Sequence, residues 1–184
     1  MITTTSRLPQ RAELLPVYSI LLFLAGSWAL YRFSWYLPSW MEYLSVGSVL
    51  VIAAYTLGYV LLEGALMLGL VVLASLVFPW HVFRSQFVAQ GSTLALALGA
   101  GAVLVQRRVS MIYNWEIWQI FAYIGAVLIG CVLLILLAAW LYRRFPRLLG
   151  LVNSFAERMT VFAFIYIPLG IIGLAVIMIR NLFG

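Results

Sequence analysis

Apolar runs about as long as a bilayer is thick recur along the whole chain, separated by short polar, aromatic or arginine-bearing breaks. A hydrocarbon core of ~30 Å takes about 20 helical residues at ~1.5 Å each. Four runs fit that length directly: Leu14 to Phe33, Phe87 to Val105, Ile117 to Leu141 and Met159 to Ile179. Pro16 falls in the opening turn of the first, where the missing N–H costs little. The ends of the runs carry amphipathic rings, as the two faces of a membrane favour. Trp35, Tyr36 and Trp40 follow the first run; Tyr113, Trp115 and Trp118 precede the third; Trp140 and Tyr142 close it. Trp118 and Trp140 stand roughly 33 Å apart along a helix, close to the span of a modestly tilted crossing.

The stretch Tyr43 to Trp80 resists this treatment. As one helix it would be roughly 55 Å long, more than a single crossing needs. Glu63-Gly64 is its one polar and flexible break, so the pattern predicts two pieces, Leu44 to Leu62 and Ala65 to Phe78, the second ended by Pro79. The second piece is short enough to be a re-entrant segment instead of a crossing. The expected fold is therefore all-α: a polytopic membrane bundle of about six transmembrane helices forming a single domain over residues 1–184, with five helices plus a re-entrant segment as the alternative. Arg143 to Glu157 reads as the largest extramembrane piece, either a basic loop or a helix lying at the headgroups.

Composition agrees with hydrocarbon as the solvent. Of the 184 residues 66% are hydrophobic and 9% charged, with a mean hydropathy of +1.11. That much apolar surface is not covered in water by so few charges. The net charge of +6 comes from arginine alone, and all five acids are glutamates. The arginines are scattered singly or in pairs beside the runs, where they meet lipid phosphate and set topology. A nucleic-acid partner would require them on one soluble face, so none is expected. Six spans give a poorly polarised chain, six arginines against five. Five spans place Arg7, Arg11, Arg84, Arg143, Arg144, Arg147 and Arg158 on one side and Arg32, Arg107, Arg108 and Arg180 on the other. The expected location is a bacterial inner membrane, with lipids and other membrane subunits as partners.

Few residues carry chemistry. With one histidine, one cysteine, no aspartate and no lysine, the usual metal sets, Schiff-base lysines and phosphoryl-transfer sites are not available. We expect no enzyme activity and no cofactor. Glu63 reads first as a turn at the membrane surface; inside the bilayer it would be a relay or a ligand contact. Glu63, His81 and Arg84 are the candidates for an intramembrane polar site, and His81 is also the one candidate for touching a haem, chlorophyll or quinone. Arg143, Arg144, Arg147 and Arg158 are candidates for lipid phosphate. Gly91, Ala95 and Gly99 form one small-residue row at spacing four, and Ala97 and Gly101 another; such rows let helices approach closely in lipid. Pro168, followed by Gly170 and Gly173, predicts a loosened turn in the last span. Cys131 reads as a small core residue. No internal repeat points to an inverted-repeat transporter. The expected role is an accessory or scaffolding subunit of an inner-membrane complex. A small transporter or substrate-binding transport subunit, and a cofactor-contacting subunit, are the alternatives.

Overall fold

The computed structural model describes residues 8–80, 82–112 and 115–183. Those residues form α1 (Arg11–Tyr43), α2 (Val46–Val77), a single 3-10 turn at Arg84–Gln86, α3 (Phe87–Ile112), α4 (Ile117–Arg144) and α5 (Pro146–Phe183). All five helices are long and apolar enough to cross a membrane. The all-α expectation holds.

The helix boundaries follow from local chemistry. Gln10 caps α1 in a reciprocal box, its backbone N–H donating to the Glu13 carboxylate at 2.7 Å. Ser45 caps α2 by accepting from the Ser48 N–H at 3.3 Å. Glu116 and Gln119 form the corresponding box on α4. Pro79 stops α2 two residues past its last turn, and Pro146 opens α5 at the first helical position, where its fixed φ suits a helix start.

Two expected breaks are absent. α2 runs unbroken through Glu63-Gly64, so one long helix of about 48 Å replaces the two pieces predicted there, and five membrane-length helices stand where about six were expected. Leu61, Leu62, Ala65, Leu66 and Met67 are all strong helix formers, and one glycine costs only about 1 kcal/mol relative to alanine. A turn in hydrocarbon would leave several backbone groups without partners, each costing more than that. Likewise Arg143 to Glu157 is not a loop. Only Phe145 separates α4 from α5, and Leu148 to Glu157 belong to the first turns of a helix about 57 Å long.

α1, α2 and α5 pack on one another most extensively; α3 lies along α1, and α4 lies along α3. The main core joins Val17, Ile20 and Leu21 of α1 to Val71 of α2, Phe87, Leu94 and Ala95 of α3, Ile135 of α4 and Ala156 and Met159 of α5. Buried hydroxyls are satisfied within their own helices: Ser19 donates to the Leu15 carbonyl at 2.7 Å, and Ser92 to that of Val88 at 2.6 Å. Outward faces are leucine- and isoleucine-rich, as on α4 at Leu128, Ile129, Leu133 and Leu137. Lipid is the solvent such faces suit.

Candidate functional site: a groove between three helices

One close helix approach is one that the sequence pattern did not single out. α2 crosses α5 at Gly58 and Gly173. A Cβ on Gly173 would overlap the Ala54 carbonyl oxygen and lie 2.7 Å from the Gly58 nitrogen. About one turn nearer the start of α5, a Cβ on Gly170 would lie 2.8 Å from the Leu61 Cβ. Ala54 and Gly58 form a small pair at spacing four, the signal that could have found this seam. The predicted row on α3 seats elsewhere. Gly91 faces Val17 and Val71, and Gly99 faces Leu24 of α1. Gly101, of the second row, faces Val127 of α4.

Because α3 touches α1 far more than α2, a groove opens between α2 and α3. Leu21, Leu24, Ala25 and Trp28 of α1 form its floor; Glu63, Gly64 and Met67 stand on one wall; Ala95, Gly99 and Gln106 stand on the other. Its volume is about 630 Å³, within the range of small-molecule sites. Gly64 holds the floor close: a Cβ there would lie 3.0 Å from Leu22 and 3.2 Å from the Tyr18 ring. The Tyr18 hydroxyl donates to the Leu61 carbonyl at 3.1 Å, tying the same turn of α2 to α1.

Among the described residues, Glu63 is the one ionisable group on the groove wall. It lies near the middle of α2, with residues 46–62 before it and 64–77 after it. Its carboxylate is exposed and has no hydrogen-bond or ion-pair partner among the described residues. The reading of Glu63 as a surface turn is therefore replaced by a carboxylate in mid-helix.

Arg84 does not join it. Its side chain is nine-tenths buried at the far end of α1, where Nη1 donates to Glu13 Oε1 at 3.0 Å and Nη2 to the Leu8 carbonyl at 3.2 Å. The guanidinium also lies 5.4 Å from the centre of the Trp80 ring. A buried cation needs such partners, and with Glu13 supplying the charge it is a clamp between α1 and the segment before α3. His81 lies outside the described residues.

No known protein family, curated protein or solved structure matches the chain.

The remaining candidates are spread out. Arg143, Arg144, Arg147 and Arg158 are exposed around the α4–α5 corner and the first turns of α5. Ala97 lines a second, shallower cavity of about 540 Å³ between α3, α4 and α5, where Thr93 and Tyr142 share a hydrogen bond of 2.7 Å. Cys131 is buried with a free thiol. Gln90 is fully buried, and neither of its amide atoms has a partner among the described residues.

Proposed function

We propose that this chain is a non-catalytic integral membrane subunit that works by binding: it holds a small, largely apolar molecule in the groove between α1, α2 and α3, as a substrate-binding subunit of a membrane transport assembly does. The observation that carries this reading is Glu63, an unpaired carboxylate at mid-helix on the wall of a cavity. Ionisable groups at that depth are expensive, and they mark substrate or ion pathways by default. An apolar pocket with a few converging polar groups is the usual form of a ligand site. Among the described residues, six arginines sit at the end of the bundle that carries the start of α1 and the α4–α5 corner, and four at the other. By the positive-inside rule this charge balance supports an N-terminus on the cytoplasmic side of the membrane. The test is native mass spectrometry of the protein released from nanodiscs. Wild type should retain a molecule of a few hundred daltons, and Ala102→Trp, which fills the groove from an exposed position, should not. Equal retention by both would sink the proposal.

A second reading, an accessory or scaffolding role in a larger complex, is favoured by α4. No residue of that helix before Cys131 is buried, and Gly125 and Gly130 face open space. Ala122, Ala126 and Gly130 make a small-residue row on that uncovered half. A photocrosslinker at Ala126 should then capture a protein neighbour in native membranes, whereas one at Leu133 should capture lipid. Lipid adducts at both positions would remove this reading.

A further inference from the structure

We propose that the molecule held in the groove is an organic cation, an ammonium- or amidinium-type head on an apolar body, with Glu63 as its counter-ion. The proposal rests on the reading of the groove as a ligand site and adds the charge of the occupant. Among the described residues that line the groove, the only formal charge is the Glu63 carboxylate. Arg84 is committed to Glu13 at the start of α1, and Arg32, one turn beyond Trp28, lies over the Tyr36 ring; neither is among the residues that line the groove. An ionised carboxylate away from water is strongly disfavoured unless an opposite charge stands beside it. A bound cation supplies that charge, and the carboxylate in turn discriminates against neutral and anionic molecules of the same shape.

The rest of the lining fits such a head and body. Leu21, Leu24 and Met67 offer hydrocarbon contact around Glu63. Trp28 adds an aromatic face, which attracts cations as well as packing on apolar chains. Gln106 lies 11 residues beyond Ala95 on α3, about 16 Å further along. The groove thus runs from Glu63 at mid-helix toward the end of the bundle where α1 and α3 finish. With the N-terminus cytoplasmic, that end faces outward, and the cation enters from the outer leaflet.

Trp28 makes the test direct, because it reports from inside the groove. The protein is placed in phosphatidylcholine nanodiscs, and tryptophan quenching is followed with two nitroxide amphiphiles of the same dodecyl chain. One carries a quaternary ammonium and the other a neutral hydroxyl, and concentrations are expressed as mole fraction in the bilayer. Trp28→Phe is run beside wild type, so that the signal from Trp28 is obtained by difference. The cationic probe should saturate the Trp28 signal at a mole fraction at least ten-fold lower than the neutral one. Glu63→Gln should abolish that preference, while Glu63→Asp should keep most of it; unchanged helical circular dichroism in each variant secures the fold. If both probes saturate the signal alike and Glu63→Gln changes nothing, the cation proposal is overturned while the groove remains a ligand site. If neither probe quenches Trp28 saturably, the ligand-site reading itself fails.

Discussion

Where α2 crosses α5, backbone meets backbone; where α4 leans on α3, side chain meets side chain. At the first crossing Gly58, Gly170 and Gly173 each lack a Cβ that would meet the facing helix. At the second, a Cβ on Gly101 would meet only the end of Val127, at 2.9 Å, and Gly125 and Gly130 meet nothing. In lipid there is no hydrophobic force between helices, so association depends on packing and on hydrogen bonds. The two regions accordingly differ in what they tolerate: the seam is limited by atoms that cannot move, and the α4 contact by groups that can.

Gly173→Ala breaks the comparison most directly. The new methyl would strike main chain, so we expect a loss of about 3 kcal/mol, at the upper end of overpacking costs, read from unfolding in mixed micelles of increasing SDS fraction. A change below about 0.5 kcal/mol would mean that the seam has room. Arg84→Met leaves Glu13 without its ion-pair partner at the start of α1. Breaking a buried pair costs about 3–5 kcal/mol, but Glu13 is 29% exposed, and we expect about 2 kcal/mol in the same assay. Tyr142→Phe removes the hydroxyl that joins α4 to Thr93. Interhelical hydrogen bonds in membranes average about 0.6 kcal/mol, and the same titration should return a loss near that value. Gly130→Ala sharpens the contrast from the other side. With open space around it, the substitution should be neutral or stabilise by up to about 1 kcal/mol through helix propensity; a clear loss would show that something covers α4.

The parts of the fold that depend on solvent were legible in the residues, and the parts that depend on neighbours were not. Runs such as Ile117 to Leu141 declare a membrane helix by themselves, because length and apolarity are set by the bilayer. The expected break at Glu63-Gly64 failed because a charged residue beside a glycine looks the same in a turn as in a helix with a groove beside it. Only the positions of Tyr18 and Leu22 on α1 tell the two apart. Arg84 was named as a candidate for an intramembrane polar site, but its partner Glu13 lies 71 residues away in sequence. Glu63 was named as a candidate from the residues; Trp28 and Gln106 were not, since an aromatic residue and an amide near a helix end match the ordinary membrane belt.

The single residue between α4 and α5 sets how the outlying helix is free to behave. With Phe145 as its only link at that end, and its buried residues confined to the half from Cys131 onward, α4 is an arm pivoted near one tip. A tilt of a few degrees at the corner displaces Trp118, some 40 Å away along the helix axis, by several ångströms. It leaves the Gly58–Gly173 crossing, on the opposite side of the bundle, where it was.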